Sequence, residues 1–209
     1  MTRDHWDRRY AGSDRVWSAE PNVFVAGEAA DLPAGRALDL ATGEGRNAVW
    51  LAERGWRVTA VDFSEVGLAK ARREADGRGV AVDWIHADLL EYEPPARAFE
   101  LVLYVYLHLP AEERRAVLRR AADALAPGGT LLVVGHDLTN VQHGWGGPQD
   151  PAVLFTPDDV VAELPGLEIE RAERVIRHVV TDDDEADAID ALVRARRPER
   201  SASGYGRPP

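Results

Sequence analysis

Acidic residues beside closely spaced glycines are the first chemistry this sequence offers. In LDLATGEGRNA (38–48) an apolar run breaks at Gly43 and Gly45 and then turns helical in pattern. Glycines at such a turn let the backbone approach a ligand closely, and the helix start presents free N–H groups. In open α/β sheets a ligand sits outside the carboxyl ends of the strands. Gly43 to Ala48 fits G-x-G-x-x-G/A, the dinucleotide fingerprint. A pyrophosphate there needs a positive helix terminus free of competing anions, yet Asp39 stands just before the loop and Glu44 stands inside it. Two carboxylates suit a ligand that carries ammonium and sulfonium charges instead. Asp62 follows Asp39 by 23 residues (62 − 39). A carboxylate there can accept both hydroxyls of a ribose, which serves either kind of cofactor. Phe63 beside it can lie on an adenine face. Asp88, in His86-Ala87-Asp88, can accept from an adenine amino group or simply cap a turn.

These residues need elements to hold them. The runs 37–41, 56–63, 80–88, 99–107 and 129–137 read as strands, and 47–55, 65–76 and 111–125 read as the helices between them. Gly55 marks a helix end, and the turn APGG (126–129) closes the helix that Pro110 opens. FELVLYVYL (99–107) is the near-continuous apolar run of a buried central strand. Strands alternating with helices imply crossover units and a parallel sheet. Upstream, 4–10 reads as a short helix capped by Asp4, and Asn22 caps a helix reaching about Leu32, stopped by Pro33 and Gly35. Downstream come a Gly- and Trp-containing loop (139–150), a short helix with Thr156 as cap and Pro157 at its first position, and a long strand at 167–179. The segment 188–197 fits a strand or a helix and is read as a strand antiparallel to its neighbours. The end (198–209) reads as disordered.

Composition narrows the function classes. The 209 residues suit one α/β domain and are short for two. A net charge of -11 opposes phosphate backbones, so no nucleic-acid partner is expected. No apolar run approaches the roughly 20 residues of a membrane span, and the charged, aromatic start MTRDHWDRRY does not read as a secretory signal. No membrane partner and a cytoplasmic setting are therefore expected. The absence of cysteine excludes a disulfide framework, a thiolate zinc site and a catalytic thiol. Six scattered histidines show no ligand spacing, so no metal is expected. No segment reads as an oligomer interface, and the oligomeric state stays open.

Taken in order, LDLATGEGRN, VTAVDFS, HADL, FELVLYVYLH and ALAPGGTLLVV resemble the class I S-adenosylmethionine-dependent methyltransferase family over residues 36–137. The run GRNAVWLAERGWRVTAVDFS and the N-terminal Trp6, Arg9, Tyr10 and Trp17 resemble the small bacterial tellurite-resistance and thiopurine methyltransferases. The resemblance implies a Rossmann-like, open, mostly parallel seven-stranded α/β sheet with helices on both faces and an antiparallel C-terminal strand. It implies a helical cap or lid at 1–35 and a methyltransferase domain at 36–197. It implies S-adenosylmethionine as cofactor and a small-molecule acceptor: a thiol, another soft nucleophile or a hydroxyl. The alternatives are an NAD-dependent oxidoreductase and a non-catalytic S-adenosylmethionine-binding module.

The same resemblance implies site residues. Asp39, Ala41, Gly43 and Gly45, with Thr42, Arg46 and Asn47 of the same loop, would hold the methionine end of the cofactor. Asp62 would bind the ribose, Phe63 and Ser64 would flank the adenosine, and Ala87, Asp88 and Leu89 would meet the adenine. Tyr104 would face the sulfonium and the acceptor, and Trp6 and Tyr10 would close over the cofactor. Ala41 stands where the family more often has glycine. No Asn-Pro-Pro-Tyr or Asp-Pro-Pro-Tyr follows the fourth strand, which speaks against amino methylation of nucleic-acid bases.

Methyl transfer from a sulfonium is an in-line displacement in which the protein chiefly aligns and desolvates the nucleophile. A thiol needs little further help; a hydroxyl needs a base. The candidate catalytic residues are His108, His136 and Asp137, all near the carboxyl edge, with packing or capping as the plain alternative for His108 and Asp137. Tyr104 and Tyr106, one residue apart, are expected on one strand face. The Arg pairs at 114–115 and 119–120 are expected on a solvated helix face, and the acidic run Asp182 to Glu185 in an exposed turn.

Overall fold

The described residues form seven strands: β1 (Arg36–Leu40), β2 (Arg57–Asp62), β3 (Asp83–His86), β4 (Phe99–Val105), β5 (Leu125–His136), β6 (Glu168–Val180) and β7 (Glu185–Arg196). The computed structural model describes residues 2–180 and 185–199. Residues 182–184 of the acidic run, and 200–209 of the tail expected to be disordered, lie outside these. Seven α-helices accompany the strands among the described residues: α1 (Arg3–Ala11), α2 (Val23–Ala29), α3 (Arg46–Glu53), α4 (Glu65–Arg78), α5 (Ala111–Ala124), α6 (Asn140–His143) and α7 (Pro157–Ala162).

The sheet runs β3-β2-β1-β4-β5-β7-β6. Its first five strands pair in parallel, and β7 lies antiparallel to both β5 and β6. The mostly parallel seven-stranded sheet is thus the one expected, and the segment 188–197 is a strand. Two apolar layers sandwich it. Val102 and Tyr104 of β4 face one layer, packed with Val117, Leu118 and Ala121 of α5 and Val160 of α7. Leu101, Leu103 and Val105 face the other, with Val25 and Ala29 of α2 and Ala48, Trp50 and Leu51 of α3. Burial on both faces explains why β4 reads as almost unbroken apolar sequence.

Local signals set the helix ends. The Asn22 side chain accepts from the Phe24 and Val25 amides and starts α2. Ser64 caps α4 through the Gly67 amide, and Thr156 with Asp159 forms a capping box on α7. Other expectations are corrected. Asp4 does not cap α1 but lies in its first turn, and Thr2 at the cap position makes no side-chain bond. Helix α2 stops at Ala29, short of Leu32. The APGG turn is absorbed into β5: α5 ends at Ala124, β5 starts at Leu125, and the register slips between the Phe99–Leu125 and Leu101–Thr130 pairs. Among the described residues, no helix is long and apolar enough to cross a membrane.

Arg114 also departs from the solvated face expected for it. It is buried and forks onto the buried Glu163 carboxylate, just past α7, at 3.0 and 2.9 Å. Arg120 is half-buried and donates to the Leu89 and Leu90 carbonyls, while Arg115 and Arg119 are exposed. Removing one partner of a buried ion pair strands the other charge. Glu163→Ala is therefore expected to cost about 3–5 kcal/mol in urea unfolding, and the double change Arg114→Met/Glu163→Leu much less.

Candidate functional site

The tips of β1, β2 and β3 are stitched together by one loop. After β1 the backbone passes through three positive φ angles, 58° at Ala41, 57° at Gly43 and 78° at Gly45. That path aims the Gly43 amide at Asp62 Oδ2, 2.8 Å away, while the Ser64 amide donates to Asp62 Oδ1, also at 2.8 Å. The Ala87 amide bonds the Asp62 carbonyl and so fastens the tip of β3 to the same point. Asp39 lies beneath the loop, 1% exposed, and accepts from the Thr42 hydroxyl at 2.6 Å.

Neither carboxylate has an ion-pair partner among the described residues. Burial pushes Asp39 up to about 7, with the nearby Asp62 adding to the rise. Burial also pushes Asp62 above the ordinary range, against the pull of its two amide donors. Asp88 uses Oδ1 to cap a turn at the Leu90 amide, at 2.9 Å, and Ala87 and Leu89 pack into the core beneath it. Phe63 is half-buried at the β2 tip, its carbonyl bonded to His86 at 2.9 Å.

Glu44, Arg46 and Asn47 turn away from this centre to the N-terminal segment. Glu44, 4% exposed, accepts from the Val16 and Trp17 amides and from Lys70 Nζ, each at 3.0 Å. Arg46 donates to Ser18 Oγ at 3.2 Å, and Asn47 accepts from the Asn22 amide at 2.9 Å. The negative charge facing the ligand region is therefore that of Asp39 and Asp62, not of Glu44. The fastened segment brings Tyr10 down on the loop: a Cβ on Gly43 would stand 2.6 Å from the Tyr10 hydroxyl, so only glycine fits beneath it. Trp6 stacks on Tyr10 at 5.5 Å, and the Arg9 guanidinium lies over Trp6 and Trp17.

A second polar group gathers at the tips of β4, β5 and β7. Tyr104 does not reach it; its side chain is fully buried in the core against Phe155. Tyr106 has left the strand at φ 53° and lies toward the opposite layer, so the two tyrosines do not share a face. His108 accepts from the His136 amide through Nε2 and bonds the Tyr106 backbone, and burial with the neighbouring His136 pushes it down to about 3. Both its nitrogens are engaged, which leaves no base. Asp137 caps Thr139 and pairs with Arg174 at 2.9 Å, a structural task. The His136 ring stacks on His108 at 5.4 Å and lies beneath Gly147.

Sequence reading missed two members of this group, Asp190 and Arg177. Asp190 is fully buried and pairs directly across β5 and β7 with His136. Its signal was an aspartate set in the apolar strand AIDALV, the same anomaly that singled out Asp62.

Known proteins share this architecture. A family described as a methyltransferase domain matches residues 37–129. A demethylmenaquinone methyltransferase of Thermus thermophilus is 40% identical over 101 residues, 47% of this chain and 46% of that relative. TehB from Haemophilus influenzae matches with a TM-score of 0.73 at 16% identity, covering 93% of this chain and 66% of that one. The N-methyltransferase NodS from Bradyrhizobium japonicum, solved in complex with S-adenosyl-l-homocysteine, matches with a TM-score of 0.70 at 20% identity, covering 95% of this chain and 100% of that one. Over residues 37–129 the chain is similar to the methyltransferase domain family, as the resemblance to class I S-adenosylmethionine-dependent methyltransferases implies.

The chain spans about half the length of the curated relatives it matches, 46% and 48% of the first two. At these identities the solved structures speak for the fold. Within the family loop, Ala41 holds a left-handed backbone that costs a non-glycine residue roughly 1–2 kcal/mol, and it does so without disturbing the Gly43–Asp62 bond.

Asp39 yields a pH-dependent expectation. Its folded value of about 7 lies above the ordinary 3.8, so its contribution to stability is present at low pH and is lost as pH rises toward 7. Asp39→Asn cannot ionise. Thermal unfolding is expected to show the variant more stable than the parent at pH 8, with the gap closing as pH falls and vanishing near pH 3, below the unfolded value; the reverse order at pH 8 contradicts an unpaired buried charge.

Proposed function

We propose that this chain transfers the methyl group of S-adenosylmethionine to a small acceptor. The supporting observation is the pair of buried carboxylates, Asp39 and Asp62, at neighbouring strand tips, neither in an ion pair among the described residues. Such a pair suits a cofactor with an ammonium at one end and ribose hydroxyls at its middle. Asp39 takes the ammonium, and the backbone of Ala41, Thr42, Gly43 and Gly45 lines the methionine end. Asp62 accepts from the ribose, Phe63 and Ser64 flank the adenosine, and Ala87, Asp88 and Leu89 border the adenine. The cofactor supplies an activated methyl group on a positively charged sulfur.

Residues 1–35 act as a lid over residues 36–197. Trp6 and Tyr10 cover the cofactor, while Arg46 and Asn47 serve it indirectly by fastening the lid. The acceptor enters beside Tyr106 and His136, under the loop that holds Gly144 to Gly147. That short rim suits a small molecule better than a protein surface. The net charge of -11 works against nucleic acid.

Calorimetric titration with S-adenosylhomocysteine tests this reading. Micromolar affinity is expected in the intact chain, with a loss of at least about thirtyfold in Asp62→Ala, which gives up a charged hydrogen-bonding group. No binding by the intact chain overturns the reading. Because the ammonium of the ligand needs the ionised form of Asp39, affinity is expected to be flat above pH 7 and to fall below it by up to about tenfold per pH unit.

A further inference from the structure

Four elements converge on one buried carboxylate. Asp190, on β7, receives the Tyr106 hydroxyl at 2.6 Å and Arg177 Nε, from β6, at 2.8 Å, both on Oδ2. Arg177 Nε also donates to the Tyr106 hydroxyl oxygen at 2.8 Å. The triangle fixes the plane of the carboxylate and leaves Oδ1 turned toward β5. There it faces His136 Nδ1 at 3.2 Å, and neither atom has another partner among the described residues. The pair is at hydrogen-bond distance without the alignment of a formed bond, as catalytic pairs often are before an acceptor is seated.

We infer that Asp190 positions His136 as the base for a hydroxyl-bearing acceptor, a phenol or an enol, rather than a thiol. This rests on the methyltransferase reading. A neutral imidazole with Nδ1–H directed at Asp190 presents a bare Nε2, the nitrogen able to take a proton. The Nε2 edge faces the glycine loop rather than the packed core: a Cβ on Gly147 would stand 2.6 Å from that nitrogen. The rest of the ring is held. His108 stacks on one side, its own nitrogens already engaged, and Tyr106 lies 5.1 Å away.

Charge balance fits the task. Burial works against an ionised Asp190, but His136, Arg177 and Tyr106 more than offset it and keep the carboxylate below its usual range. Tyr106 is raised by burial and by Asp190, so it stays a neutral donor. In the transfer, the acceptor O–H proton passes to His136 Nε2 as the O–CH3 bond forms. The S–CH3 bond breaks and its electron pair stays on sulfur, turning the sulfonium into a neutral thioether. The positive charge thus moves from sulfur to the imidazolium, which stands against Asp190. A thiol ionises appreciably near neutral pH without such help, whereas an unactivated hydroxyl does not.

The test uses 15N NMR of the histidines in the full chain, alone and with S-adenosylhomocysteine. His136 is expected as the Nδ1–H tautomer in the parent and shifted toward Nε2–H in Asp190→Asn. An Nε2–H tautomer in the parent, or no shift in the variant, overturns the positioning role. Tyr106→Phe keeps the carboxylate but frees one of the groups that orient it, and a weakened Nδ1–H preference is expected there even if Asp190→Asn does not fold.

Rates of S-adenosylhomocysteine formation with 4-methylphenol and with 2-mercaptoethanol separate a base from a packing residue. His136→Gln is expected to slow the phenol by about 10²–10⁴-fold and the thiol by less than about tenfold. Equal losses on both overturn the base. Absence of S-adenosylhomocysteine binding in the same samples strikes the methyltransferase reading, whereas normal binding with the wrong tautomer strikes only this inference.

Discussion

The hydrogen bond from the Gly43 amide to Asp62 is the constraint around which the cofactor side is arranged. To make it, the chain must leave β1 through consecutive left-handed turns, which only glycine adopts without strain. Making it fixes the start of α3, covers Asp39, and sets β1 and β2 side by side at the edge where the parallel strands end. The consequence is electrostatic. Two carboxylates, near the ends of β1 and β2, are taken out of water, and their hydrogen bonds come from neutral donors. That is an unfavourable arrangement for a resting protein and a favourable one for a cation.

Much of this was legible in the sequence because it is local. LDLATGEG announces strand, turn and helix within a dozen residues, and an aspartate closing an apolar strand marks Asp62. The alternation of strands and helices gave the parallel sheet, whereas 188–197 fitted a strand or a helix and was read as an antiparallel strand. Glu44 shows the limit. Its position in the loop was readable, but its direction was set by amides at Val16 and Trp17 and by Lys70, far away in the chain. Tyr106 shows another: the rule that alternate residues share a strand face fails where the strand ends, and a positive φ is not announced by a tyrosine.

The acceptor side was harder to read because its chemistry is assembled across strands. His136 and Asp190 are opposite one another only through the antiparallel register of β5 and β7, and Arg177 arrives from a third strand. No spacing in a linear sequence encodes that meeting. Local cues pointed to His136 together with His108 and Asp137, and the latter two turn out to be engaged in holding the backbone and the next loop.

The match to the methyltransferase family ends at residue 129, before the midpoint of β5. Every residue of the Gly43–Asp62 centre lies inside that stretch, while His136, Arg177 and Asp190 lie beyond it. The two groups therefore sit largely on different stretches of the chain, with Tyr106 reaching the second from within the matched one. Mutations can accumulate in the β6–β7 hairpin and re-aim Asp190 or Arg177 without touching the loop that grips the cofactor. On the proposed reading, substitutions confined to that hairpin change which acceptor is served and leave the cofactor loop intact.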